Sequence, residues 1–269
     1  MGSMRAPGLY PGIPEAEYHA DDALSQSGAK LILDTPARYR WDRDHPHEPS
    51  EAQELGSIAH AIALGQPDVH RLVDADSWRT AKARAERDEA RKAGLIPVLP
   101  GQYAKALAMA DALHAHPYVG AVLAADGENE LSMWWQDTRT GTGCRGRLDA
   151  LRIDPNGTHL LVDIKTAANV APRQFGKAAA DHGYHLQAWA YLDGYRTLTG
   201  YDAAYVLAVV ESTEPYWVAP YTLTTLQLDA GREKWETALD LYAECAATDT
   251  WPAYQTDPQP LEMPAWALY

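Results

Sequence analysis

The sequence predicts an α/β fold in which a central mixed β-sheet is flanked by helices and preceded by a helical N-terminal part. Two observations lead to this prediction. From residue 24 to about residue 116, apolar side chains recur at helical spacing, whereas runs typical of strands follow between residues 130 and 210. A helical stretch separates two of those strands, as a crossover between parallel strands requires.

The composition indicates an acidic globular protein. The chain has 269 residues, with 23 Lys and Arg against 37 Asp and Glu, so its formal net charge is −14. A hydrophobic fraction of 46% excludes a disordered or fibrous chain. The two cysteines, Cys144 and Cys245, are far apart and indicate no disulfide scaffold or cysteine metal site. Without an apolar run of the ~20 residues that a membrane span needs, and without a secretion signal, a cytoplasmic protein is expected.

The N-terminal half is predicted to contain four helices. The first is capped by Ser25 or Ser27 and interrupted at Pro36, where the ring cannot continue the helix. The four predicted segments are Leu24 to Trp41, Glu51 to Leu64, Trp78 to Lys92 and Gly101 to His114.

The second half is predicted to contain the sheet. Its strands are Glu130 to Gln136, Cys144 to Ile153, His159 to Lys165, Ala203 to Val210 and an edge strand within YWVAPYTL, with helices over Arg173 to Tyr195 and Thr224 to Ala247. We therefore expect one domain over residues 24–250. Residues 1–23 are expected to be a tail that begins with an expression scar, and residues 251–269 an irregular tail.

Charged residues on one predicted hairpin form the strongest candidate site. Asp163 and Lys165 are two apart in a strand, so they project from the same face. If the turn DPNGT closes symmetrically about Asn156, paired residues have numbers that sum to about 312, which places Asp149 opposite Asp163. A two-residue turn would shift this register by one. Because the strand is otherwise apolar, charges that project from it indicate a function rather than a solvated hairpin.

The chemistry of this hairpin indicates a metal. Carboxylates that face each other repel, so a cation is expected between Asp149 and Asp163. Mg²⁺ and Mn²⁺ prefer such oxygen ligands and take one or two protein carboxylates. Lys165 could orient or deprotonate a water, or stabilise charge on a phosphate. The pattern is typical of phosphodiester hydrolysis, the alternative being an exposed ion pair.

In order and spacing, the sequence resembles the PD-(D/E)XK nuclease superfamily. Within it, the chain is most similar to phage and prophage exonucleases of the exodeoxyribonuclease VIII (RecE-type) kind, and more distantly to lambda exonuclease and RecB-type nucleases. The shared elements are LSQSGAKLILDTPARYRW, the GxxxH element from Gly56 to His60, ELSMWWQD, GRLDAL, VDIKTA and GYHLQAWAYLDGY. The family often has Glu where this chain has Asp163. The resemblance implies a restriction-endonuclease-like core.

The resemblance also implies the role of each matched residue. The catalytic residues it implies are Lys165, Asp163, Asp149 and Glu130, and the metal ligands are His60, Asp149, Asp163 and the backbone carbonyl of Ile164. The implied DNA contacts are Gln187 and Tyr191 of the QxxxY element, together with Ser25, Ser27, Lys30, Arg38, Arg145 and Arg147. Each has a structural alternative: a core histidine, a buried polar pair, a helix cap or ordinary surface charge.

By resemblance, the chain is expected to be a Mg²⁺-dependent exodeoxyribonuclease, with Mn²⁺ able to substitute. A metal-activated water would attack the phosphodiester of linear double-stranded DNA from its ends. Digestion would run 5′ to 3′ and leave a 3′ single strand for a single-strand annealing protein in phage-type recombination within a bacterial host. Relatives form rings of three or four subunits, in which an acidic exterior can coexist with a basic channel.

Three alternatives stay open at this point. The first is a structure- or site-selective endonuclease of the same superfamily. The second is a catalytically idle DNA-binding module that retains the fold. The third, a hydrolase of small phosphate esters, is disfavoured because the chain has no GxxxxGK[ST] phosphate loop.

Overall fold

A computed structural model describes residues 4–45, 47–66, 69–154 and 156–264. Residues 1–3, which belong to the predicted expression scar, and residues 265–269 of the predicted C-terminal tail lie outside this range, as does Pro155 of the DPNGT turn. No helix in these ranges is long and apolar enough to cross a membrane.

The fold contains a mixed β-sheet and helices on both of its faces. In chain order the elements are β1 (Gly8–Tyr10), α1 (Glu15–Ala20), α2 (Gln26–Asp34), α3 (Pro36–Asp44), α4 (Glu51–Ala63), β2 (His70–Leu72), α5 (Ala81–Lys92), β3 (Ile96–Val98), α6 (Pro100–Ala115), α7 (Pro117–Ala124), β4 (Gly127–Gln136), β5 (Gly143–Ile153), β6 (His159–Ala167), α8 (Pro172–Asp181), α9 (Tyr184–Thr199), β7 (Ala203–Glu211), β8 (Val218–Tyr221) and α10 (Thr225–Thr248). The predicted α/β class is confirmed.

The central sheet has six strands in the order β1-β4-β5-β6-β7-β8 among the described residues. β6 and β7 are parallel, and the other neighbours are antiparallel. Helices α8 and α9 supply the crossover that a parallel pair needs. β8 is the edge strand that the sequence predicts, and β2 pairs with β3 in a separate parallel ribbon.

The predicted helix interruption at Pro36 is confirmed, and its cause is a capping residue. Thr35 ends α2 and begins α3, and its hydroxyl accepts a hydrogen bond from the Arg38 backbone N–H at 3.1 Å. Pro36 occupies the first turn of α3, where its missing N–H has no helical partner to lose. Ser25 caps α2 by accepting from the Gly28 N–H at 3.1 Å.

Several regions differ from the prediction, including β2, β3 and α7, which were not predicted from the sequence. The single helix expected from Arg173 to Tyr195 is two helices, because Gly183 adopts a left-handed φ of +64° between them. A Cβ at Gly183 would lie 3.1 Å from Cε of Lys30, so the break also brings α2 close. The expected N-terminal tail contributes β1 to the edge of the sheet and α1 beside it, because β4 offers a free edge for pairing.

Three apolar clusters hold these layers together. The first packs α2, α9 and α10 against one face of the sheet, and the second packs α4, α6 and α7 against the other. A third, smaller cluster joins Tyr18 and Ala23 to Trp134 of β4, beneath the N-terminal segment. The sheet is therefore covered by α4 on one side and α9 on the other, and both helices carry predicted site residues.

Candidate active site

Three carboxylates lie in a row on neighbouring strands. Every pair in the β5–β6 ladder, from Ile153 with His159 to Ala150 with Val162, has residue numbers that sum to 312. The next position in that register sets Asp149 opposite Asp163, which confirms the predicted register. The β4–β5 ladder in turn skips one position, the one where Glu130 faces Asp149.

Glu130 interrupts β4 because its backbone is left-handed, with a φ of +52°. In a regular strand Asn129 and Leu131 would point to the same face. Instead, Asn129 donates a hydrogen bond to the Leu64 carbonyl at the end of α4, while Leu131 packs in the first cluster on the opposite face. A non-glycine residue held in this conformation costs about 1–3 kcal/mol, and such strain is often found at functional sites.

Helix α4 brings His60 to this row of carboxylates. Gly56, one turn earlier, lies against β6, where a Cβ would come within 3.1 Å of the Thr166 hydroxyl oxygen. The glycine of the GxxxH element thus permits the close approach of helix and sheet. His60 Nε2 then lies 3.0 Å from Asp149 Oδ2, and its Nδ1 lies 3.4 Å from Glu130 Oε1.

The charges in this cluster perturb one another. Burial of the His60 imidazole lowers its pKa, but the carboxylates of Asp149 and Glu130 outweigh this and raise it to about 9. The pKa of Asp149 falls although burial opposes ionisation, because His60, Lys165 and the Ile164 N–H stabilise the carboxylate. Burial and the Asp149 charge raise the pKa of Glu130 to about 6. In the absence of a metal, His60 is therefore the cation that holds the carboxylates together.

Asp163 and Lys165 form a buried ion pair beside this cluster. Lys165 Nζ lies 2.7 Å from both carboxylate oxygens of Asp163, as expected for two residues on one face of β6. The amide of Gln187 on α9 donates a hydrogen bond to Asp163 Oδ1 at 2.8 Å. Burial lowers the pKa of Lys165, but the charges of Asp163 and Asp149 raise it by more than burial lowers it, so the net shift is upward. Lys165 is therefore held in its charged form.

The donor set at this site fits a divalent metal. Among the described residues, His60, Glu130 and Asp149 offer ligand atoms that all lie within 4.8 Å of one another. Asp163 Oδ2 is buried with Lys165 Nζ at 2.7 Å, and the Tyr205 side chain of β7 also interacts with this carboxylate. Carboxylate oxygens suit Mg²⁺ and Mn²⁺, whereas an imidazole nitrogen also suits softer ions such as Zn²⁺, so the donor set fits a divalent metal without selecting one. The Ile164 N–H donates to Asp149 Oδ2 at 2.6 Å, and the role of the Ile164 carbonyl stays a prediction.

The QxxxY pair lies inside the protein. Gln187 is 4% exposed and Tyr191 is 6% exposed. The ring of Tyr191 packs so closely on β5 that a Cβ at Gly146 would lie 2.8 Å from it. Gln187 therefore contacts Asp163 from inside the protein, and the DNA contacts of both residues stay a prediction.

Two arginines predicted to contact DNA are also engaged within the protein. Arg145 is 6% exposed, and its Nε donates to the Ala23 carbonyl at 3.0 Å. Arg147 donates to the Ser132 hydroxyl at 3.0 Å and to the Ile13 carbonyl at 2.8 Å. Both guanidinium groups therefore make hydrogen bonds within the protein, and their contact with a DNA backbone stays a prediction.

Of the candidate DNA contacts on α2 and α3, Lys30 lies nearest the catalytic pair. Its pKa is lowered to about 8 by burial and by the charge of Lys165. Ser27 accepts a hydrogen bond from the Gln26 amide at 2.9 Å, and Ser25 is the α2 cap already described. Arg38 of α3 forms an exposed ion pair with Asp34 of α2. Of these candidates, Lys30 therefore lies beside Lys165, and Arg147 reaches the site through Glu130 Oε2 at 3.7 Å.

Two residues near the site were not predicted from the sequence. The centre of the Tyr184 ring lies 5.1 Å from Lys165 Nζ and 5.9 Å from Lys30 Nζ, within cation–π range of both. Its position three residues before Gln187 on a helix is a signal that could have found it. Tyr18 contacts both Arg145 and Arg147, and no local pattern marks it because these partners are distant in sequence.

Comparisons with known proteins agree with this architecture. Residues 25–258 match the family described as "PDDEXK-like domain of unknown function (DUF3799)". A candidate exonuclease from Eubacterium rectale has a similar structure, with a TM-score of 0.61 at 12% identity over 94% of this chain and 95% of that one. A phage-related exonuclease from Haemophilus somnus matches with a TM-score of 0.37 at 11% identity over 85% of this chain and 96% of that one. A search of curated protein sequences gave no match.

Proposed function

The chain belongs to the PDDEXK-like domain family, and from this premise we propose that it is a divalent-metal-dependent deoxyribonuclease that degrades linear double-stranded DNA from its ends. The observation that carries the proposal is the meeting of two groups at one point of the sheet. One is the set of potential ligands His60, Glu130 and Asp149, and the other is the Asp163–Lys165 ion pair. The described neighbour of similar fold is itself a candidate exonuclease, which favours action from DNA ends.

The residues of the chain divide the work of hydrolysis. His60, Glu130, Asp149 and Asp163 would hold the cation, which when bound would supply a Lewis acid for the phosphate and a readily deprotonated water. Lys165 remains charged and close, so it stabilises the negative charge that develops on the scissile phosphate. The carboxylate of Glu130, in the same ligand set, would also be placed to accept a proton from the attacking water.

Lys30 and Tyr184 offer a place for the DNA beside the catalytic pair. Lys30 is only partly exposed and is kept close to Lys165, its like charge. Two cations near each other are unfavourable in isolation, and a phosphate between them would relieve the repulsion. The Tyr184 ring contacts both lysines and holds them at this place. This arrangement favours a nucleic acid over a small ester as the substrate.

The finer features of the function are proposals from the family resemblance. They comprise Mg²⁺ as the metal with Mn²⁺ as a substitute, 5′ to 3′ digestion, and supply of 3′ single strands to an annealing protein in a bacterial cytoplasm. A ring of three or four subunits would reconcile the net charge of −14 with DNA binding. Light scattering of the purified protein under digesting conditions tests the ring, which a monomeric active enzyme would exclude.

The function is tested with one DNA sequence in two forms, a linear duplex labelled at its 5′ or 3′ end and a closed circle. Each is incubated with Mg²⁺ or with EDTA. We expect early release of 5′-labelled mononucleotide from the linear DNA and none from the circle, with loss of release in EDTA. Cutting of the circle would instead establish an endonuclease, and DNA binding without cleavage would establish an idle binding module.

A further inference from the structure

The side of Glu130 that faces away from His60 is occupied by Arg147. Arg147 Nη1 lies 3.7 Å from Glu130 Oε2, whereas His60 contacts the other carboxylate oxygen. Glu130 thus has a cation at each oxygen. Because its left-handed backbone is strained, the conformation persists only if the surroundings hold it in place.

Arg147 is itself held from three directions, and two of them come from the N-terminal segment, residues 8–20. Its Nε bonds to Ser132, its ladder partner on β4. Its Nη2 donates to the Ile13 carbonyl at 2.8 Å, and its guanidinium lies 4.4 Å from the centre of the Tyr18 ring. The N-terminal segment therefore supplies two of the three contacts that hold the arginine.

The N-terminal segment is anchored independently of Arg147. β1 pairs with β4 from Gly8 opposite Trp134 to Tyr10 opposite Ser132. Tyr18 packs edge-on against the buried Trp134 at 5.7 Å, and Tyr10 does the same at 5.6 Å. The segment also lies outside residues 25–258, the range that matches the family. A part of the chain beyond the shared domain thus reaches the wall of the metal site.

We propose that the N-terminal segment is a positioning element of the metal site, with Tyr18 and Arg147 as its positioning residues. Tyr18 holds the Arg147 guanidinium in place. The guanidinium in turn orients the Glu130 carboxylate toward Asp149, its neighbour on β5. The proposal rests on the proposed function, since it assumes that these carboxylates bind a divalent cation. Partners that orient metal ligands typically change metal affinity by about 10–100-fold when they are removed.

The test is calorimetric titration of the full chain with Mn²⁺, which requires no DNA cleavage. Tyr18→Leu should weaken Mn²⁺ affinity at least tenfold, and Tyr18→Phe should restore it because the phenyl ring is retained. Tyr10→Leu is the matched control, since Tyr10 packs on the same tryptophan from the same segment but does not contact Arg147. A purely structural segment would make Tyr18→Leu and Tyr10→Leu equivalent, and that result would overturn the proposal.

A double-mutant cycle tests whether the effect passes through Glu130. Arg147→Met should weaken Mn²⁺ binding in the parent but add little in a Glu130→Gln background, because the carboxylate that it orients is already gone. If the two substitutions lower Mn²⁺ affinity additively, Arg147 does not act through Glu130, and the positioning proposal is overturned while the proposed metal site still stands. A parent protein that neither binds Mn²⁺ nor cleaves DNA would overturn the proposed function, and this inference with it.

Discussion

Replacement of Lys165 by Met isolates the charge at the centre of the site. The Lys165 side chain is 19% exposed and that of Asp163 is 4% exposed, with Nζ 2.7 Å from both carboxylate oxygens. Methionine retains an unbranched apolar side chain of similar length but carries no charge. Removal of one partner from a buried ion pair typically costs about 3–5 kcal/mol, because the other partner stays buried as an uncompensated charge.

The structure places the expected loss at the lower end of that range. Asp163 keeps the hydrogen bond from Gln187 and can take up a proton once the lysine is gone. We therefore expect Lys165→Met to lower the free energy of unfolding of the metal-free protein by about 3 kcal/mol at pH 8. A chain of this size should then melt about 6–12 °C lower. Near pH 5 the loss should be smaller, because protonation neutralises the buried carboxylate.

The same variant separates metal binding from catalysis. Lys165 is not a ligand, so Mn²⁺ affinity should stay within a few-fold of the parent. A cation beside Asp163 would replace the lost positive charge, so saturating Mn²⁺ should narrow the stability difference. Release of 5′-labelled mononucleotide should fall at least about 10²-fold, since the charge that stabilises the transition state is removed.

Urea unfolding at pH 8 with and without Mn²⁺, together with the DNA release assay, measures these effects. Lys105→Met on α6 is the control, because Lys105 is an exposed lysine on a helix. A loss of unfolding free energy below about 1 kcal/mol, as for an exposed pair, would refute the buried ion pair. Retained DNA cleavage would refute the catalytic role of Lys165.

Three further predictions concern the surroundings of the site. His60 has a folded pKa of about 9 against an ordinary 6.5, so its charge stabilises the metal-free protein below pH 6.5. This stabilisation is lost as the pH rises through about 9. In EDTA, the difference in unfolding free energy between the parent and His60→Ala should therefore shrink by about 3 kcal/mol between pH 6.5 and pH 9. Gln187→Leu should cost about 1.5–3 kcal/mol in urea unfolding and reduce cleavage, because a buried carboxylate loses a donor; an unchanged midpoint would contradict its positioning role. Gly194→Ala should lower the unfolding free energy by about 1–3 kcal/mol, and with it the melting temperature, because its Cβ would lie 2.8 Å from the Trp135 ring. Gly176→Ala is the control: its Cβ would meet open space on a helix, so the substitution should be neutral or stabilising.

The sequence alone was sufficient for the parts of the site that depend on local chain geometry. The alternation of β6 sets Asp163 and Lys165 on one face, and a DPNGT turn that closes symmetrically about Asn156 gives the register that the β5–β6 ladder has. The GxxxH spacing likewise sets Gly56 and His60 on one face of α4. These features follow from periodicity and turn chemistry, which neighbouring residues encode by themselves.

The tertiary structure decided which side chains complete the site and which are buried. Glu130 belongs to a segment that looks like an ordinary strand, and only its surroundings hold its backbone at a φ of +52°. Arg145 and Arg147 resemble surface charges in the sequence, yet Arg145 bonds to Ala23, 122 residues away, and Arg147 contacts Tyr18. Such contacts depend on how distant segments meet in space, which local spacing does not specify. The sequence therefore determined the β5–β6 hairpin with Asp149, Asp163 and Lys165, and long-range packing determined the residues that surround it.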